Sequence, residues 1–127
     1  MQGNNENLLS KLINLTNHPY SEWSEEQRAA ARIYGECIDI PFPAVDSDAD
    51  SEDISRLADR YLHQISEYGQ DVTVHVKGEQ TFCFAWITLL IKKGITCIAS
   101  ATARDVTILP DGSRKVHFHF SRFREYK

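Results

Sequence analysis

Apolar and polar positions change period several times along the chain. A short apolar run over 12–15, closed by Thr16-Asn-His-Pro19, predicts a strand that feeds a loop. Ser24-Glu-Glu-Gln27 follows, with Ser and Gln at the capping-box spacing that opens a helix, and Gly35 offers the left-handed conformation that stops one. Residues 37–40 form a second short strand, cut off by Pro41 and Pro43, which lack an amide donor. Ile54, Leu57, Ala58, Tyr61, Leu62, Ile65 and Tyr68 then recur at helical spacing. They predict an amphipathic helix over 51–68, capped by Ser51, with Glu52 and Asp53 in its first turn and Gly69 beyond its end. The run 72–76 is a third strand. Residues 80–93 are apolar nearly all round, a helix covered on most sides and stopped at Gly94. Residues 95–99 are a fourth strand. Two alternating runs, 104–109 and 115–123, flank Pro110-Asp-Gly-Ser113 and read as a β-hairpin. Alternation in its second arm puts Val116, Phe118 and Phe120 on one face and His117, His119 and Ser121 on the other.

Strands alternating with helices across short loops are the pattern of right-handed βαβ units. The expected architecture is α/β: a three-layer Rossmann-like sheet of about four parallel strands with a C-terminal β-hairpin, in one domain over 1–127. In such sheets ligands bind outside the carboxyl ends of the strands, where the strand order reverses. For a flavodoxin-like order that point lies between the first and third strands.

Composition narrows the partners. The 127 residues carry a formal net charge of −4, with 42% hydrophobic and 25% charged positions, the profile of an average globular domain. No global positive field would attract long nucleic acid. Cys37, Cys83 and Cys97 are odd in number, lack metal-type spacing and lie in apolar segments, which suits reduced thiols better than disulfides. The polar segment 1–6 does not read as a secretory signal, and the apolar stretch 82–91 is too short to cross a bilayer, so no membrane contact and a cytoplasmic setting are expected. The acidic stretch 46–53 reads as a solvated lead-in to a helix.

Three loops meet at the carboxyl edge. The first carries Thr16, Asn17 and His18 ahead of Trp23 and Gln27; Asn17 and His18 either shape the turn before Pro19 or meet a ligand, with His18 as acid or base. The second carries Lys77, Gly78, Glu79 and Thr81. Gly78 would admit a ligand close to the backbone, and Glu79 suits either a ribose hydroxyl or the helix dipole. The third carries Ser100, Thr102 and Arg104, hydroxyls and a guanidinium suited to a phosphodiester; Arg122 and Arg124 add local positive charge. No dinucleotide fingerprint and no Walker motif is present, and no cofactor is expected. His117 and His119 would need a third converging ligand to hold a metal, and no metal site is expected; His75 reads as a satisfied histidine of the sheet.

The segments Leu12-Ile-Asn-Leu-Thr-Asn-His-Pro19, Ile38-Asp-Ile-Pro-Phe-Pro43, Val74-His-Val-Lys-Gly-Glu79, Ala99-Ser-Ala-Thr-Ala-Arg104 and Phe120-Ser-Arg-Phe-Arg-Glu-Tyr126 span almost the whole chain. Together they resemble small CRISPR-associated Rossmann-like proteins, the CARF-related group that includes stand-alone ring nucleases. The resemblance implies a homodimer whose carboxyl edges form one pocket for a cyclic oligoadenylate, a second messenger of type III CRISPR antiviral signalling. It also implies cleavage without metal, the ribose 2′-hydroxyl attacking the neighbouring phosphate to leave a 2′,3′-cyclic phosphate. By position, Thr16, Asn17 and His18 and then Ser100, Thr102 and Arg104 carry the site, with His18, Asn17 and Arg104 as the catalytic candidates and Trp23, Gly78, Glu79 and Thr81 among the ligand contacts. Unlike larger members, the sequence shows no clear catalytic lysine apart from Lys77. Two other readings fit the same residues: a module that binds a nucleotide without turning it over, and a nucleoside deoxyribosyltransferase-like enzyme with Glu79 as nucleophile.

Overall fold

A computed structural model describes residues 9–127; the polar segment 1–6 lies outside the described residues. Five strands, β1 (Lys11–Thr16), β2 (Glu36–Pro41), β3 (Val72–Val76), β4 (Thr96–Ile108) and β5 (Arg114–Glu125), form one mixed sheet in the order β2-β1-β3-β4-β5. The pairings of β1 with β2 and β3, and of β3 with β4, are parallel, and β5 runs antiparallel to β4. The order reverses between β1 and β3, the expected switch point.

Three helices connect the parallel strands: α1 (Glu25–Ala31), α2 (Ser51–Ile65) and α3 (Gln80–Lys92). One face of the sheet carries α2 and α3 over the larger core, where Phe82, Trp86 and Leu90 are wholly buried against Ile54, Ala58 and Ile65. The other face carries α1 over a smaller cluster of Leu12, Trp23, Ala31 and Ile98, with Phe123 of β5 at its margin. That division follows from the connections: the step from β1 to β2 goes one way along the sheet and the two later crossovers go the other.

Local chemistry sets the ends of these elements. Ser24 caps α1 through the amide of Gln27, as its spacing predicts. Beyond α1 a 3-10 turn leads to Gly35, whose φ of 109° and whose position against the carbonyl of Ser10, 2.1 Å from where a Cβ would stand, leave room only for glycine. The cap of α2 is Asp50 rather than Ser51. Asp50 accepts from the Asp53 amide at 2.8 Å while Asp53 accepts from the Asp50 amide at 3.1 Å, a reciprocal box that a single serine does not provide.

The largest departure from the sequence reading is in the last third. The sheet has five strands, and the first arm of the hairpin is the outer half of β4 itself, which runs unbroken through 100–104. Ser100-Ala-Thr-Ala-Arg104 contains no glycine or proline to break a strand, and β5 supplies backbone partners along it. The register shifts between Ala101 and Thr102, whose partners are Arg122 and Phe120, so Ser121 is an extra residue in a β-bulge. The bulge brings Phe120 and Phe123, which strict alternation would separate, to a ring distance of 5.0 Å. β3 pairs only with Thr96, Cys97 and Ile98 of β4. Beyond that, β4 and β5 continue as a two-stranded arm. Among the described residues no helix is long and apolar enough to cross a membrane.

Candidate functional site

The carboxyl end of β1 is held by a buried polar network. Asn14, only 1% exposed, donates from Nδ2 to Asp39 Oδ1 and to the carbonyl oxygen of His18, both at 2.9 Å. Its Oδ1 faces Thr16 Oγ1 at 3.1 Å and His75 Nδ1 at 3.0 Å. Because Asn14 Oδ1 can only accept, His75 carries its proton on Nδ1. The His18 carbonyl also receives the indole N–H of Trp23 at 3.0 Å, and the His18 amide donates to Thr16 Oγ1 at 3.0 Å. Asp39 in turn accepts from the Tyr20 amide at 3.1 Å. The backbone of the turn is pinned from several sides, while the His18 side chain is left exposed.

This turn forms one wall of a groove of about 440 Å³ above the switch point. Thr16, His18 and Trp23 contribute from the β1 side, His75 and Lys77 from β3 and its end, and Ser100 and Thr102 from β4. The arm closes the far side through His117, Phe118, His119 and Phe120. Glu22, and Glu26 and Gln27 of α1, complete the lining.

His75 forms part of the floor, packed edge-on to Trp23 and Phe123 at ring distances of 5.3 and 5.5 Å. Burial, with a smaller contribution from Lys77, pushes its pKa down to about 4, so the ring is neutral near pH 7. Its Nε2 is buried and has no hydrogen-bond partner within the protein. The expected satisfied histidine is therefore satisfied at one nitrogen only. On the arm, His117 and His119 stack at 6.2 Å, and His119 Nδ1 lies 3.0 Å from Asp105 Oδ2 across the hairpin. No group of three or more His, Cys, Asp or Glu side chains among the described residues is arranged to hold a metal ion.

The sequence candidates divide into two sets. Thr16, His18, Trp23, Ser100 and Thr102 meet in the groove. Asn17 is exposed on the same turn but does not line the groove. Arg104 also lies outside the lining, on the exposed arm opposite Phe118, because β4 does not end where a loop was expected. Lys77 is the cation the groove does contain. Gly78 is committed to packing: a Cβ there would stand 2.3 Å from the ring of Phe42. Glu79 caps α3, accepting from the Phe82 amide at 2.8 Å and from Thr81 Oγ1 at 2.7 Å. Those bonds hold its carboxyl below the usual carboxylate range and tie up Thr81 as well.

Sequence reasoning predicted the hairpin, with Phe118 and Phe120 on one face of its second arm and His117 and His119 on the other, but not that this arm flanks the groove. The three cysteines are unpaired; Cys97 is buried, and burial pushes the thiols of Cys37 and Cys97 up to about 12.

A family profile described as Uncharacterized protein MJ1673 family matches residues 10–124, from the residue before β1 to the penultimate residue of β5. The chain belongs to the MJ1673 family. No curated protein matches it. The matched span in this MJ1673 family member takes in all of the sheet but the last residue of β5, together with the groove and the arm.

Proposed function

We propose that the chain is a metal-independent ring nuclease, a phosphodiesterase that opens a cyclic oligoadenylate of the kind used in type III CRISPR antiviral signalling. The messenger is taken from the resemblance described above. The observation that carries the chemistry is the groove at the switch point, where His18 shares one lining with Lys77 and the hydroxyls of Thr16, Ser100 and Thr102. An imidazole moves protons near neutral pH, a lysine and hydroxyls suit phosphate oxygens, and Trp23, Phe118 and Phe120 offer surface to a base.

The same reading includes a homodimer. Past Ile98 the arm is a ribbon of two strands only, and it exposes Val106, Ile108, Val116 and Phe118, with Ile108 at 71% and Phe118 at 61%. Two-stranded ribbons are marginal alone in water, and a second copy covering these side chains would stabilise it.

The test is incubation of the purified protein with cyclic tetra-adenylate in EDTA, with products followed by chromatography. Linear fragments ending in a 2′,3′-cyclic phosphate are expected. An intact ring accompanied by ligand-induced thermal stabilisation would assign the chain to nucleotide binding without turnover. The Glu79→Gln variant separates the deoxyribosyltransferase reading: a capping Glu79 predicts that activity persists, whereas a nucleophile would leave none.

A further inference from the structure

We propose that the face of the arm turned away from the groove binds a single-stranded segment of nucleic acid, its phosphates along β5 and its bases against α3. The site is separate from the groove, and the proposal stands or falls independently of the phosphodiesterase reading.

The strand register builds this face. Residues directly opposite each other in an antiparallel pair project to the same side. Arg124, Arg122 and His119 stand opposite Ala99, Ala101 and Ala103, and His117 and Lys115 continue the same file outward along β5. Cys97, two residues before Ala99, belongs to the core beneath α2 and α3, so the file lies on the α3 side of the sheet. The apolar pair Val106 and Val116, and Phe118 with Arg104, face the other way. The bulge at Ser121 makes the file continuous: strict alternation would put Arg122 and Arg124 on the side opposite His119.

The cations of the file are available to a ligand. Lys115, Arg122 and Arg124 are exposed, and no carboxylate among the described residues pairs with them. Asp105 is the one acidic side chain that the register sets on this face of the arm, and it lies 3.0 Å from His119. In a chain of net charge −4 the positive charge is therefore gathered into one line. Neighbours such as Arg122 and Arg124 are about 6.8 Å apart along the strand, a step comparable to that between phosphates of an extended nucleic-acid strand. The alanines opposite them leave the long side chains standing clear of β4.

Aromatic surface adjoins the inner end of the file. The Tyr126 amide donates to the Cys97 carbonyl at 2.9 Å, which adds Tyr126 to the same face. Tyr126 and Ala99 line a groove of about 540 Å³ together with Phe84, Thr88 and Ile91 of α3. Phe84 is 75% exposed and Tyr126 39%. A single strand uses such an arrangement, stacking bases on the rings while its backbone follows the charges. The rings favour nucleic acid over an acidic peptide, and a duplex, whose bases already stack on one another, would leave them unused.

The experiment titrates a fluorescently labelled single strand of about 12 uridylates with the full chain between about 50 and 200 mM salt, read by anisotropy. Three neutralised phosphates predict a slope of about −2 in log Kobs against log salt, about −0.7 for each. Arg122→Glu with Arg124→Glu should weaken binding by at least about 10-fold and flatten the slope to about −0.7. Phe84→Ala should weaken binding by about 10-fold and leave the slope unchanged, because it removes stacking and no charge. Arg122→Gln with Arg124→Gln, which keeps the side-chain length, should flatten the slope in the same way, and thermal melting checks that each variant is folded. No binding by the wild type at the lowest salt overturns the proposal. So does binding that keeps its slope in both double variants, which would put the strand elsewhere on the molecule. A duplex of equal length bound as tightly, or displacement of the strand by polyglutamate of equal charge, would assign the face to polyanions or acidic protein and overturn the single-strand reading.

Discussion

Trp23 Nε1 donates to the carbonyl oxygen of His18 at 3.0 Å, so the indole on the floor of the groove also fixes the turn that forms its wall. Trp23→Phe keeps much of the ring surface and removes the donor. Asn14 still donates to the same oxygen, so the expected loss is about 1 kcal/mol, seen as a fall in Tm of roughly 4 °C. An unchanged Tm would show that the indole N–H contributes nothing to holding the turn.

Asn14 carries a heavier load. Truncation to alanine removes the acceptor of His75 Nδ1–H and the donor to Asp39 and His18 in one step, in a place with almost no access to water. Each buried group left without a partner costs about 1–3 kcal/mol, so Asn14→Ala should lose about 3 kcal/mol or more in urea unfolding. A loss under about 1 kcal/mol would mean that the network is replaced by water rather than broken.

His75 makes stability depend on pH. Its pKa is lowered from 6.5 to about 4 in the folded chain, chiefly by burial and then by Lys77, so between those values the unfolded chain binds more protons than the folded one. Stability therefore rises with pH across that window; the contribution is fully present above 6.5 and is lost as pH falls towards about 4, to a limit of about 3 kcal/mol. His75→Asn keeps a donor near Asn14 and removes the titration. Unfolding followed from pH 4 to 7 should show a flatter profile for this variant, and parallel profiles would refute the assignment.

The contact between Gly78 and Phe42 is open to a double-mutant cycle. Gly78→Ala forces the ring of Phe42 away from its packing with Phe82, and a loss of about 1–2 kcal/mol is expected. In a Phe42→Ala background the same substitution should cost far less, because the obstructing ring is gone. Equal losses in both backgrounds would show that the glycine is needed for something other than Phe42.

The parallel half of the fold was legible because its signals are local. The apolar runs of β1 and β3, the Ser24 cap and the helical spacing of Ile54, Ala58 and Ile65 each act within a few residues. The end of β4 was not legible, because whether Ser100–Ala103 is loop or strand depends on a partner strand twenty residues further on. The same distance hid the site. Thr16, His18, Ser100 and Thr102 could be placed at one edge from the strand order alone, but the arm that faces them comes from the hairpin register. Gly78 and Glu79 misled for a different reason: a glycine and a carboxylate before a helix look alike whether they meet a ligand, a phenyl ring or the helix's own amides.

The bulge at Ser121 separates two kinds of inheritance in this chain. Inboard of it, β4 and β5 are bound into the sheet, and a change at Ile98 or Phe123 is felt by the cluster around Trp23. Outboard, no third strand pairs with the two. Paired substitutions across the arm can therefore reshape what the groove accepts while the floor stays as it is. New specificities should arise most readily in the arm, and deletion of Ser121, which straightens the ribbon without reversing its faces, is the shortest route to a differently shaped groove on the same core.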